Sequence, residues 1–115
     1  MEIIEYLEKS PVVKSFVIRD FKDFKSGVYI YIIVNLIDNS VLYINEYISV
    51  MERNYSYHWQ DDNNNLIIRF DNAPYHCDIS TYPHHKHYGN EVIENRLTTF
   101  DEIMNYIEKV ILKSK

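Results

Sequence analysis

One cysteine, two glycines and three prolines are all that this 115-residue chain holds of the residues that staple, loosen or break a backbone. A lone Cys77 forms no intramolecular disulfide, which excludes a disulfide scaffold. With so little glycine there is no phosphate-cradling loop: neither G-x-x-x-x-G-K nor G-x-G-x-x-G occurs. Long apolar runs are missing too. The longest, "VYIYIIV" at 28–34, falls far short of the roughly 20 residues that a membrane span needs. A basic excess is also lacking, because the formal charge is −5. That disfavours a broad, non-specific nucleic-acid binder, while leaving room for a small local site built from Lys86, Arg53, Arg69 and the histidines. No signal peptide is expected ahead of the fold, and the expected location is the cytoplasm, away from membranes.

What is present is a normal globular composition, 46% hydrophobic and 25% charged, at a length suited to one domain spanning 1–115. Eleven tyrosines and five phenylalanines make either the core or an exposed face strongly aromatic. Residues 2–9 read as a short helix stopped by Pro11. Strand-like runs follow at 12–21, 27–38, 40–50, 54–60 and 66–71. The run 27–38 is apolar on both faces, as a central covered strand would be, and "DNS" and "DDNNN" supply hairpin turns. The chain closes with a helix: Thr99 and Glu102 form a capping-box pattern, and Phe100, Ile103, Met104, Ile107, Val110 and Ile111 recur at helical spacing. The fold class expected is therefore α+β. It comprises one antiparallel meander of about four to five strands, a short N-terminal helix, and a longer C-terminal helix packed on the sheet.

Some residues break the local pattern. In strand 40–50, Glu46 shares a face with Leu42, Ile44, Ile48 and Val50, where a core side chain belongs. A buried carboxylate requires a partner or a role, and Arg53 and Arg69 are the candidate partners. In the hairpin 54–71, Tyr55, Tyr57 and Trp59 share one face, while the other presents His58, Arg69 and Asp71.

The most unusual stretch is "DNAPYHCDISTYPHHKHYGN" at 71–90, which holds four of the five histidines, two of the three prolines and the only cysteine. Pro74 and Pro83 are expected to interrupt any ladder there. In extended backbone His85 and His87 point one way, and His84 and Lys86 the other. Two imidazoles on one side, with His76 or Asp71 approaching from the preceding loop, suit acid–base work or a metal ion. RNA cleavage without metal needs a neutral imidazole for the 2′-hydroxyl proton, a protonated one for the leaving oxygen, and a cation for the phosphate. A zinc site would instead take His85, His87 and either His76 or Cys77, although no paired C-x-x-C is present. The alternative for Cys77 is a small apolar packing residue.

The run "YSYHWQDDNNNLIIRFDNAPYHCDISTYPHHKHYGN" resembles the TumE-type toxins of toxin–antitoxin modules. That family's Tyr-x-Tyr-His/Tyr-x-Gln strand corresponds to Tyr55, Tyr57, His58 and Gln60. Its Arg-Tyr-Asp-Asn-Ala-Pro-His-His step corresponds to Arg69–His76, and its Pro-His-His-Lys-His block to Pro83–His87. Phe70 stands where a tyrosine is common, and Tyr75 replaces the first histidine of a pair, leaving His76. Glu46 falls in a similar upstream Glu-Tyr element. The resemblance implies a growth-inhibiting toxin encoded beside an antitoxin, often of the helix-turn-helix DNA-binding kind. By analogy with other small toxins it raises RNA cleavage as the activity.

The expected catalytic residues are then His85, His87, His76 and Lys86, with Asp71 or Glu46 orienting a histidine or holding an arginine. Arg69, Arg53, His84 and Tyr57 are the expected RNA contacts, Tyr57 by stacking on a base. No cofactor is required on this reading. The rival readings are a metal-dependent hydrolase holding zinc through His85, His87 and His76, a non-enzymatic toxin acting through its tyrosine-rich surface, and a nucleotide-transferring enzyme for which no phosphate loop is visible.

Overall fold

A computed structural model of the chain describes residues 2–113. Helix α1 (Glu2–Lys9) leads into seven strands: β1 (Val13–Asp23), β2 (Gly27–Leu36), β3 (Val41–Ser49), β4 (Arg53–Gln60), β5 (Leu66–Asp71), β6 (His85–Tyr88) and β7 (Glu91–Glu94). Helix α2 (Phe100–Lys113) closes the chain. The strands lie side by side in chain order, each antiparallel to the next. The expected α+β meander is present, but with seven strands rather than four to five. The two extra strands come from the histidine segment. Their sequences, "HKHY" and "EVIE", are short and largely polar, and Pro83 stands two residues ahead of the first. Pairing with the already formed edge of β5 overrides that weak local preference.

Alternation in β2 to β5 sends one set of side chains to a single buried face. Ile30, Ile32, Val34 and Leu36 of β2 meet Leu42 and Ile44 of β3 there, followed by Tyr55, Tyr57 and Trp59 of β4 and Ile68 and Phe70 of β5. Leu7 of α1 and Ile103, Met104, Ile107 and Ile111 of α2 complete the same core. Two aromatic contacts dock α2: Tyr106 meets Phe70 edge-on at 6.1 Å, and Phe100 meets Tyr57 at 6.3 Å. The capping box starts the helix, with Glu102 N–H donating to Thr99 Oγ1 and Thr99 N–H donating to Glu102 Oε1, each at 3.2 Å. Val110, expected on the apolar stripe, is 39% exposed at its margin. The two hairpin turns place Asn39 and Asn64 at φ 69° and 65°, a left-handed conformation that asparagine tolerates.

Both helices cover the same face, so the other face of the sheet is open. β2 is apolar on both sides, as read from its sequence, but it is covered by helices on one side only. Its second side carries Tyr29, Tyr31 and Ile33, which are half-buried. Cross-strand register arranges this open face in rows. One row runs Tyr29, Tyr47, Asn54; the next runs Tyr31, Asn45, Ser56, Asp71, His85; the third runs Ile33, Tyr43, His58, Arg69, His87.

Candidate active site

The second and third rows end in a cluster of charged and titratable side chains. Asp71, the last residue of β5, is 5% exposed. Its Oδ1 lies 2.8 Å from His85 Nε2, and its Oδ2 lies 3.5 Å from His87 Nε2. Arg69 Nε donates to Oδ2 at 3.2 Å, and the Ala73 N–H donates to Oδ1 at 3.0 Å. The loop between β5 and β6 then brings His76 back over the strands. Its ring centroid is 4.8 Å from that of His85 and 5.9 Å from that of His87, while His85 and His87 are 5.0 Å apart.

The "DNAP" step makes this placement possible. While Asp71 faces the histidines, Asn72 stitches the departing chain to β4: its Nδ2 donates to the Arg53 carbonyl at 2.7 Å and its Oδ1 accepts from the Tyr55 N–H at 2.9 Å. The loop therefore leaves the sheet at a defined angle.

The three imidazoles are not equivalent. His85 is 2% exposed, and its Nδ1 donates to the Pro83 carbonyl at 3.0 Å. A carbonyl only accepts, so Nδ1 carries a hydrogen in this contact, and Nε2 is turned toward Asp71 and the other rings. With both nitrogens engaged inside the protein, His85 positions Asp71 rather than reaching outward. His87 is half-buried. Burial pulls its pKa below the ordinary value; Asp71 opposes that shift, while His85, Arg69 and His76 add to it. That direction favours the neutral imidazole, the form able to accept a proton. His76 is likewise half-buried, at the mouth of the loop. Ligand atoms of His76, His85 and His87 all lie within 4.8 Å of one another, so these three are the residues that can hold a metal. Cys77 is exposed beside them, not packed in the core as one reading of the sequence had it.

Other expected site residues lie elsewhere. Lys86 pairs in register with Phe70 and Ile93, which puts it on the helix-covered side of the sheet, away from the cluster. His84 also faces that side. It stacks on Tyr55 at 5.8 Å with Nδ1 2.9 Å from the tyrosine hydroxyl, and burial followed by the charges of Arg53 and His85 lowers its pKa. Tyr55 itself is pushed up to about 12, mainly by burial. Tyr57 is fully buried and stacks on no base, which corrects the role expected of it.

Glu46 and Arg53 form a closed pair. Arg53 Nε and Nη2 donate to the two carboxylate oxygens at 2.9 and 2.7 Å, the Tyr57 hydroxyl donates to Oε2, and Arg53 Nη1 donates to the Thr98 carbonyl. Burial would lower Arg53, but the bonds and charge of Glu46 hold it above its usual value. Arg69, the other candidate partner for Glu46, binds Asp71 instead. The tyrosines of the open face, Tyr29, Tyr31, Tyr43 and Tyr47, were not singled out in the sequence reading. The signal for Tyr29 and Tyr31 was a strand apolar on both sides, and for Tyr43 and Tyr47 the alternate positions of β3, opposite its core-facing residues.

A buried carboxylate gathering two imidazoles and a guanidinium at the rim of an uncovered sheet defines a small protein with a solvent-facing polar centre, set apart from its core. The chain belongs to the TumE toxin family: the family model described as "Toxin TumE" matches residues 3–112, nearly its whole length. It is thus a toxin of a toxin–antitoxin system, and an antitoxin is its partner. No curated protein and no solved structure matches. Among the described residues no helix is long and apolar enough to cross a membrane.

Proposed function

We propose that this toxin cleaves RNA in the cytoplasm through proton transfer by His87 and His76. The observation that carries this reading is the placement of two half-buried imidazoles, with centroids 5.9 Å apart, beside Arg69 on an open face. Neutral His87 takes the proton of a ribose 2′-hydroxyl, and the 2′-oxygen forms a bond to the adjacent phosphorus. The bond from phosphorus to the 5′-oxygen breaks, and protonated His76 supplies the proton that this oxygen needs. Arg69, anchored through Nε and with 40% of its side chain exposed, offers the rest of its guanidinium to the charged phosphate oxygens. Asp71 and His85 act as positioning residues behind this pair.

The test is digestion of end-labelled RNA by purified protein, with and without chelator. His87→Ala and His76→Ala should each lower cleavage by about 10²- to 10⁴-fold while melting like the parent. An unchanged rate in the double variant sinks the assignment.

A second reading is favoured by one observation. The Pro83 carbonyl engages His85 Nδ1 and so directs Nε2 inward, toward two further imidazoles. Metal-bound histidines are commonly held in this way. On that reading His76, His85 and His87 would hold zinc, which would supply an activated water for hydrolysis. Cleavage abolished by chelator and restored by zinc would select it.

The proposed antitoxin is of the helix-turn-helix DNA-binding kind, drawn to the −5 toxin by complementary charge and neutralising it on binding. A complex whose affinity ignores salt would count against that attraction.

A further inference from the structure

The open face also bears a groove of about 340 Å³ that the proton-transfer cluster does not use, lined by Tyr29, Asn45, Tyr47, Asn54, Ser56 and Pro74. We propose that this groove holds one unpaired nucleobase of single-stranded RNA, a few nucleotides along the strand from the phosphate cleaved at the histidines. The choice of RNA as occupant rests on the RNA-cleavage reading; the groove itself rests on its own geometry.

Its walls are aromatic and fixed in place. Tyr29 and Tyr47 are direct cross-strand partners, both half-buried on the side that neither helix covers. The Tyr47 ring lies against Gly27, where a Cβ would sit 3.0 Å from Tyr47 Cζ and 2.5 Å from the Ile48 carbonyl oxygen. Glycine is therefore what lets the ring settle onto the strand, and Phe24 supports it edge-on at 6.5 Å. On the other side, the Tyr29 hydroxyl donates to Asn45 Oδ1 at 2.7 Å. That bond fixes the Tyr29 ring and turns the Asn45 amide nitrogen, a donor, toward the remaining space. Asn54 and Ser56 add donors and acceptors suited to the edge of a base. Aromatic faces with a few polar edge groups are what an unstacked base requires, and a base inside a duplex has no free face to offer.

The surroundings fit a charged strand passing across the sheet. Lys22 Nζ lies 5.9 Å from the Tyr29 ring centroid at one end, and Arg69 stands at the other. Stacking assisted by a few local cations suits a protein of net charge −5 better than broad phosphate neutralisation does. Ser56 of the groove is in register with Asp71, and Asp71 with His85, so groove and cluster share one row. Tyr47 on β3 and His87 on β6 are three strand spacings apart, about 14 Å. An extended strand with one base seated in the groove therefore brings a phosphate a few nucleotides further along to His87.

The deciding measurement is fluorescence anisotropy with a labelled single-stranded oligoribonucleotide and the same sequence as a duplex. His87→Ala serves as background to prevent cleavage. The single strand should bind and the duplex should not. Adding Tyr47→Leu, which keeps the bulk but removes the π face, should weaken binding by about tenfold, and Tyr47→Phe should not. Equal binding by the Leu and Phe variants, or equal binding of duplex and single strand, overturns the proposal. So does binding of neither RNA, even if the groove proves to be covered by antitoxin. The two proposals fail separately. If the wild type cuts no RNA but Tyr47→Leu weakens single-strand binding, cleavage falls and the groove stands. If cleavage proceeds and Tyr47→Leu changes nothing, the groove falls alone.

Discussion

Two carboxylates, Glu46 and Asp71, sit on opposite faces of one sheet at 2% and 5% exposure, and each holds an arginine. Their surroundings differ in one respect that separates structure from chemistry. Glu46 spends both oxygens on Arg53 and Tyr57, and Arg53 is tied in turn to the Thr98 carbonyl just before α2. Every partner there is a donor that does not titrate near neutral pH. Asp71 holds Arg69 by a single Nε contact and two imidazoles by their Nε2 atoms, on a face that no helix covers. A buried ion pair with saturated partners fastens one element to another. A buried carboxylate among titratable rings near solvent holds reactive groups in place.

The largest expected effect tests the structural half of this contrast. Glu46→Ala leaves Arg53 without its counter-charge in a partly buried site and should cost about 3 kcal/mol of stability, read from the urea midpoint. A variant as stable as the parent would remove the distinction between the two sites. Next, the double variant His76→Ala/His87→Ala should lose growth arrest on induction while its melt stays close to that of the wild type; a large loss of stability would make this cluster structural as well. Asp71→Asn should affect both readouts. The amide carries no charge to hold Arg69 and offers one acceptor oxygen where the carboxylate offers two, so a loss of roughly 1–3 kcal/mol should accompany reduced activity.

The smallest effect is a pH dependence. In the fold His58, His84 and His87 titrate below the ordinary 6.5, with burial the first cause for each. Below that value the unfolded chain binds more protons than the native one, so stability should fall as pH drops from about 7 toward 5.5. In His87→Gln the slope should become shallower. An unchanged slope would remove His87 from the buried neutral groups.

Much of this was legible before any coordinates. Alternation, apolar runs and helical spacing located α1, the first five strands and α2 to within a few residues; the period is clearest in β3 and α2 and weak in β1. Glu46 was conspicuous as a charge at a core position, and Arg53 was one of two partners that the sequence could offer. The pairing of His85 with His87 on one side follows from the two-residue period of a strand.

The rest depended on through-space neighbours. β6 and β7 exist because β5 offers an edge, and no local preference in "HKHYGNEVIE" announces them. Lys86 sits between two histidines in the chain yet lies on the other side of the sheet from them, and Tyr57 belongs to the core because α2 packs over it. His76 joins His85 and His87 only after a loop has folded back, and its reach is set by Asn72 bonding to β4. The amino-acid order thus determines which face each strand residue occupies, since backbone geometry alternates without reference to the rest of the molecule. Which of those faces is sealed and which stays open is a long-range outcome of where two helices find their apolar partners. That outcome made Glu46 a fastener and left Asp71 facing the histidines.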